Sequence, residues 1–204
     1  MTVNSRKRIL IAPVAAAALF LVGCGSSHDS QPTPTASSTV QVDAVHNDAD
    51  IKFAQMMIPH HEQALDMADM VPTHSQNKEL ITLAKKIANA QGPEIEQMKA
   101  WLAVWGAPTS TADSNGHGDH GSSTEDSSMH GMMSATEMQE LENSTGAKFD
   151  RMWIEMMIKH HEGAVIMAKD ELANGENPQA KALAQEIITS QEAEITQMKK
   201  MLKN

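Results

Sequence analysis

The chain has 204 residues and a formal net charge of −10 at pH 7, with 26 acidic and 16 basic side chains. An acidic surface repels phosphate backbones and attracts cations, which excludes nucleic acid as the expected partner and favours metal ions. The single cysteine excludes a disulfide within the chain and a site built from several thiolates. Sixteen methionines and ten histidines stand beside three phenylalanines and no tyrosine. Helix-forming residues dominate, which favours the all-α class.

The N-terminus has the pattern of an export signal. Three basic residues precede an apolar run over residues 9–22, which is shorter than the roughly 20 apolar residues that span a membrane. Residues 21–24, Leu-Val-Gly-Cys, resemble the lipobox of bacterial lipoproteins. The resemblance implies that residues 1–23 are a lipoprotein signal peptide and that Cys24 carries a lipid, which would hold the protein on the extracytoplasmic face of the cell membrane. Residues 24–47, rich in Ser, Thr, Pro and Asp, are predicted to be a flexible tether.

An internal duplication organises the rest of the chain. Residues 53–102 align with residues 153–202 at a constant offset of 100, and 20 of the 50 positions are identical. The string Met-Met-Ile-x-His-His-Glu-x-Ala-x-x-Met-Ala begins at Met56, and the string Gln-x-x-Glu-Ile-x-x-Met-x-x-x-Leu begins at Gln91. Both strings recur 100 residues later, so the two copies are predicted to fold alike.

The two strings resemble those of the bacterial family known as domain of unknown function 305. The likeness covers about residues 48–203 and includes both strings in both copies. It implies a ferritin-like helical bundle and, for some members of the family, binding of copper outside the cytoplasm.

Each copy is predicted to form two helices. Asn177 followed by Pro178 is typical of a helix start, because Asn caps the first turn and Pro fits the first helical position. Pro59 and Pro93 should kink the helices of the first copy, since proline cannot donate the backbone hydrogen bond. The predicted helices cover residues 48–71, 77–105, 147–172 and 178–203.

These helices predict a four-helix bundle made of two hairpins. Repeat one, over residues 48–105, and repeat two, over residues 147–203, each carry an apolar stripe that one hairpin cannot bury alone. The His- and Met-rich linker over residues 107–133 is predicted to lack regular structure. Ser134 and Glu137 have the spacing of a capping box, which predicts a short additional helix.

The repeated string carries the predicted metal site. Met56, His60 and Met67 share the centre of the apolar face of the first helix, while Met57 and His61 lie towards its edge. Thioethers select Cu(I), imidazole suits copper, zinc and iron, and a thioether stays usable in an oxidising compartment. Copper, as Cu(I), is therefore the predicted cofactor. The predicted ligands are Met56, Met57, His60, His61, Met67, Met156, Met157, His160, His161 and Met167.

Polar residues also interrupt the apolar stripe of the second helix in each copy. Burying an amide or a carboxylate without a partner costs several kcal/mol, so these residues need partners. We expect them to support the ligands, and their nearest candidate partners are His60 and His160 on the facing helices, or an ion held by these histidines. The supporting residues are Gln91, Glu94, Gln191 and Glu194. A second candidate metal site lies in the linker, at His117, His120, Met129, His130, Met132 and Met133.

Three functions remain open, because the same methionines could fill a core and an inward histidine could be a hydrogen-bonded core residue. The predicted function is a lipid-anchored copper sequestration or delivery protein without enzymatic activity, which contacts the membrane only through its lipid. A copy of itself or a copper-handling envelope protein are candidate partners. The second function is a metal-free envelope module that grips a partner. The third is a ferritin-like di-metal oxidoreductase, which needs Glu-x-x-His, and this motif does not begin at Glu62, Glu94 or Glu162.

Overall fold

Five helices account for most of residues 42–109 and 130–203, the part of the chain that this computed structural model describes. No strand occurs among these residues, which confirms the all-α class. Over the same two ranges, no helix is both long enough and apolar enough to cross a membrane. The helices are α1 (Asp48–His74), α2 (Lys78–Trp105), α3 (Ala135–Glu142), α4 (Gly146–Asn174) and α5 (Pro178–Met201).

Side-chain caps define where α1, α2, α3 and α5 begin, whereas α4 begins without one. Asn47 accepts hydrogen bonds from two backbone N–H groups in the first turn of α1. Asn77 and Asn177, which occupy the same position in the two repeats, cap α2 and α5 in the same way. The predicted capping box is present: Ser134 and Glu137 each accept from the other's backbone N–H and so start α3.

Prolines do not end the helices of the first repeat. α1 continues through Pro59 and Pro72 to His74, three residues beyond the predicted end, and α2 continues through Pro93. A proline inside a helix removes one backbone hydrogen bond. Because the side chains on either side of Pro59 are buried, packing against neighbouring helices offsets that loss and keeps α1 continuous.

The helices form a bundle of two hairpins. α1 packs against α2, α4 packs against α5, and α1 packs against α4, while the short α3 contacts α1 and α4. α1 and α4 run antiparallel. Near one end the Trp153 indole donates to the Met67 carbonyl oxygen at 2.8 Å, and near the other the Asn47 amide donates to the Asn174 carbonyl oxygen at 2.9 Å.

Two apolar clusters fill the bundle, one towards each end. The first joins the first half of α1 to the second half of α4, with Phe53 and Met167 among its buried residues. The second joins the end of α1 to the start of α4, with Val71 and Phe149. Polar side chains from the middle of α1, α2, α4 and α5 lie between the two clusters. We call this region the polar layer; it contains His60, His61, Gln91, Glu94, His160, His161, Gln191 and Glu194.

Candidate metal centre

Four histidines meet in the polar layer, at the middle of the α1–α4 pair. The ring centroids of His60 and His160 are 3.7 Å apart. The His61 ring lies 6.5 Å from that of His60, and the His161 ring lies 6.4 Å from that of His160. All four side chains are fully buried. The structure therefore brings the predicted imidazoles of both repeats into one site.

Each outer histidine donates a hydrogen bond to a glutamate of its own repeat. His61 Nε2 donates to Glu94 at 2.7 Å, and His161 Nε2 donates to Glu194 at 2.9 Å. The expectation that His60 and His160 would be the nearest partners of these glutamates was wrong. The two histidines of each string contact different helices. His60 on α1 and His160 on α4 contact each other across the α1–α4 pair. His61 contacts α2 and His161 contacts α5, the other helix of its own hairpin in each case.

Hydrogen bonding decides which ring nitrogen of three histidines carries the proton. His60 Nε2 lies 3.0 Å from the carbonyl oxygen of His130. A carbonyl or carboxylate oxygen can only accept, so Nε2 of His60, His61 and His161 is the protonated nitrogen. In the neutral ring Nδ1 then carries the lone pair, and none of the three Nδ1 atoms has a hydrogen-bond partner. His160 makes no hydrogen bond to a side chain, and its ring lies against the backbone carbonyl group of His60.

Burial lowers the pKa of His60, His160 and His161 and so keeps these three imidazoles neutral. Burial, reinforced by the neighbouring His61, lowers the pKa of His60 to about 3. Burial and the facing His60 hold the pKa of His160 well below its ordinary value. Burial would raise the pKa of Glu194, but the hydrogen bond from His161 and the Lys86 ammonium lower it below the usual range. A neutral imidazole beside an ionised carboxylate is the protonation state in which histidine binds a metal.

The remaining polar residues of the layer are also buried. Gln91 and Gln191 are each 3% exposed, and neither side-chain oxygen accepts a hydrogen bond. Lys86 Nζ on α2 lies 3.3 Å from Glu194 on α5, an ion pair that joins the two hairpins. It has no counterpart in the other repeat, where position 186 is a glutamate. The polar layer is thus symmetric in its histidines but not in its charges.

The predicted methionine ligands are divided between the two ends of the bundle. Met56, Met57 and Met167 belong to the first apolar cluster, whereas Met67 and Met157 belong to the second, with Met156 half-buried against it. Because α1 and α4 are antiparallel, Met56 of one repeat lies near Met167 of the other, rather than near Met67 of its own helix.

Residues 130–133 form a short segment, which we call the strap, that runs across α1 and α4 beside His60. Gln63 holds it from α1: its amide donates to the Met133 carbonyl oxygen at 2.8 Å and its oxygen accepts from the Met133 N–H at 2.7 Å. Gly163 makes room on α4, because a Cβ there would collide with the His130 carbonyl group. The sequence analysis missed Gln63 and Gly163. The signal that could have found them is that they occupy equivalent positions of the two repeats but are different residue types.

Of the six residues of the predicted linker site, the structure describes three, His130, Met132 and Met133. Met133 is buried in the second apolar cluster, while His130 and Met132 are partly exposed. The predicted signal peptide over residues 1–23, together with Cys24, His117, His120 and Met129, lies outside the described residues. Within residues 42–109 and 130–203, no group of three or more His, Cys, Asp or Glu side chains is arranged to hold a metal ion. A metal in the polar layer would therefore need donors of another kind, such as thioethers.

Comparison with known proteins identifies relatives along most of the chain. The family model described as Domain of unknown function (DUF305) matches residues 50–202. A DUF305 fragment from Deinococcus radiodurans is 32% identical, with a TM-score of 0.64 over 76% of this chain and 96% of that one. CopM in its Cu(II)-bound form is 38% identical, with a TM-score of 0.62 over 76% of this chain and 96% of that one. CopM in its Cu(I)-bound form is 36% identical, with a TM-score of 0.59 over the same shares. No match was found among curated protein sequences.

Proposed function

Because this chain belongs to the DUF305 family, and because its polar layer presents neutral imidazoles with free lone pairs, we propose that it is an extracytoplasmic copper-binding protein. It sequesters or delivers copper and catalyses no reaction. CopM, 38% identical, has structures with Cu(II) and with Cu(I), which supports copper as the ion.

The observation that carries this proposal is a set of buried ring nitrogens that carry lone pairs and have no hydrogen-bond partner. They are His60 Nδ1, His61 Nδ1 and His161 Nδ1. A buried polar atom left unpaired costs about 1–3 kcal/mol, so three of them in one layer are unfavourable unless something binds there. A metal ion would accept these lone pairs, and the same lone pairs would stabilise the buried charge of the ion.

The partners of the imidazoles suit this role. Metal-bound histidine usually donates its second ring N–H to a carboxylate or a backbone carbonyl, which fixes the ring and raises its basicity. Glu94, Glu194 and the His130 carbonyl group accept such bonds from His61, His161 and His60. A purely structural role for the histidines would explain these three bonds but not the unpaired nitrogens.

The ligand set favours copper over zinc. Closed zinc sites are built from nitrogen, thiolate and carboxylate donors, and this chain has one cysteine, at the predicted lipidation position. Met57 and Met157, fully buried and four residues before His61 and His161, supply soft donors to the layer. We assign Met67 and Met156 to packing. Met67 lies in the cluster that also buries Phe149 and Trp153.

We further propose that α1, α2, α4 and α5 form a four-helix bundle of the ferritin-like type, whose two hairpins are related by a pseudo-two-fold axis. The matched pairs support this arrangement, since the histidine–glutamate bond and the Glu62–Lys99 ion pair (3.1 Å) recur in repeat two, the latter as Glu162–Lys199 (2.9 Å). An experimental structure in which residues 53–102 do not superpose on residues 153–202 would refute it.

The test is metal analysis of full-length protein purified in detergent from copper-fed cells. We expect the parent to retain copper and the double variant His60→Ala with His160→Ala to retain less, because the Cu(I) affinity of the polar layer should fall roughly tenfold or more in competition with a chelator. His46→Ala is the control, because His46 stacks on Trp105 outside the polar layer and should leave binding unchanged. Copper retained at parent level by the double variant would contradict the proposal.

A further inference from the structure

A cavity of about 180 Å³, partly open to solvent, lies beside the polar layer, between the first half of α1 and the second half of α4. Phe53 and Met56 line it from α1, Met167 and Glu171 line it from α4, and His130 of the strap lines it from the side. This volume is several times that of one water molecule and well below the roughly 300–1,000 Å³ of pockets for organic ligands. It has room for one ion together with a few water molecules.

The duplication has diverged at this cavity. At the equivalent positions of the opposite end, small or polar residues of the cavity are replaced by larger or less polar ones: Ala49 corresponds to Phe149, Lys52 to Met152, Asp170 to Met70 and Glu171 to Val71. Phe149 and Val71 are fully buried there, in the second apolar cluster. One end of the α1–α4 pair is therefore filled with core side chains. The other end holds a cavity with polar groups.

Glu171, at this end, shares a side-chain hydrogen bond with Asp50. It is 1% exposed. Its side chain lies over Gly175, where a Cβ would collide with the carboxyl group. The neighbouring Asp50, also fully buried, accepts hydrogen bonds from the backbone N–H groups of Glu176 and Asn177. Asp170 and Lys52 line the cavity as well, so its polar wall carries side chains of both charges, and its soft donors are the two thioethers and the imidazole.

We propose that the cavity is a second copper site, in which the thioethers of Met56 and Met167 and the imidazole of His130 bind one Cu(I) ion. The three side chains come from α1, α4 and the strap, so the ion links three segments. The inference rests on the proposed function, since it names a further site for the same metal, but it uses none of the four histidines of the polar layer.

The test measures how many equivalents of Cu(I) the full-length protein binds in detergent, in competition with a chelator. Met56→Leu with Met167→Leu keeps the apolar volume and should bind one equivalent fewer than the parent. Met67→Leu with Met156→Leu changes the equivalent positions at the filled end and should bind as many as the parent. His130→Ala should lose the same equivalent.

A second readout identifies the ligands directly. Titration with Ag(I), a soft monovalent ion that is not readily oxidised, is followed by NMR of protein labelled at the methionine methyl groups. The methyl resonances of Met56 and Met167 should shift together as the ion binds, also in the His60→Ala, His160→Ala variant.

The outcomes separate the two proposals. If Met56→Leu with Met167→Leu binds as much copper as the parent, or if both methionine pairs cost the same, the cavity site is refuted. If His60→Ala with His160→Ala abolishes copper binding while the cavity variant is unaffected, the polar-layer site stands alone. If the cavity variant loses its equivalent and the histidine variant loses none, the cavity site stands and the polar-layer ligands are refuted.

Discussion

The carbonyl group of His130 occupies the space that a side chain would need at Gly163. The strap reaches His60 only because α4 has no side chain at this position. The equivalent residue on α1, Gln63, binds the strap through two hydrogen bonds. The two repeats have thus specialised at one position, one to admit the strap and the other to hold it.

We expect Gly163→Ala to displace the strap and destabilise the protein. Alanine favours a helix over glycine by about 1 kcal/mol, but the added methyl group meets backbone atoms that cannot turn away, and such overpacking costs about 1–3 kcal/mol. The melting temperature should fall by a few degrees. Gln63→Ala releases the same segment from the other side, so the double variant should lose less stability than the sum of the two single variants. Additive losses, or a stabilised Gly163→Ala protein, would contradict this account of the strap.

The carboxyl group of Glu171 makes stability depend on pH. Burial, with the neighbouring Asp50, raises its pKa from 4.5 to about 8, against a smaller opposing effect of Lys181 on α5. The folded protein therefore holds this proton more tightly than the unfolded chain. The resulting stability is complete below pH 4.5 and is lost as the pH rises towards 8.

Glu171→Gln, which keeps the shape but cannot ionise, should remove this loss. Measured by urea unfolding without metal, the variant should gain more stability over the parent at pH 8 than at pH 5. Glu186→Gln, an exposed position on α5, is the control and should leave the pH profile unchanged. Parallel profiles for parent and Glu171→Gln would mean that Glu171 is not buried as a neutral acid.

The repeated strings predicted which residues are buried, but not all of their neighbours. Helical spacing placed His60 on the buried face of α1, and the duplication brought His160 to the same depth of the bundle. Spacing cannot tell which helix covers which edge of a face, so the bond between His61 and Glu94 was assigned to the wrong histidine. Helical spacing also cannot predict that α4 runs antiparallel to α1. This antiparallel arrangement places Met56 near Met167.

The strap and the cavity are marked by positions where the two repeats differ, not by positions where they match. Gly163 is equivalent to Gln63 in the first repeat and lies at the strap. Glu171 is equivalent to Val71 and lies at the cavity. A single glycine in a helix signals only a loss of helix propensity, and a single glutamate at an apolar position looks like an exposed residue. Their meaning depends on segments distant in sequence, which packing alone brings together.

The lipid anchor remains a prediction from residues 21–24. Cys24→Ala removes the sulfur that would carry the lipid, so we expect the protein to leave the membrane fraction or to remain unprocessed. Fractionation of cells with detection by antibody, together with the mass of the purified chain, measures both effects. A variant that stays in the membrane fraction at the size of the processed parent would exclude lipidation at Cys24.

The choice of copper over zinc depends on thioethers next to the histidines. Leucine keeps the apolar volume of methionine but cannot ligate, so Met57→Leu with Met157→Leu should lower Cu(I) affinity while leaving helical content and melting temperature almost unchanged. Zinc binding, if measurable, should change little, because zinc would rely on the imidazoles. Met98→Leu with Met198→Leu is the matched control: these methionines are also fully buried, recur at the same offset, and lie on α2 and α5. Competition titrations with Cu(I) and Zn(II) on all three proteins decide the point. Equal Cu(I) affinities would mean that Met57 and Met157 only fill the core, and the copper preference would then need another source.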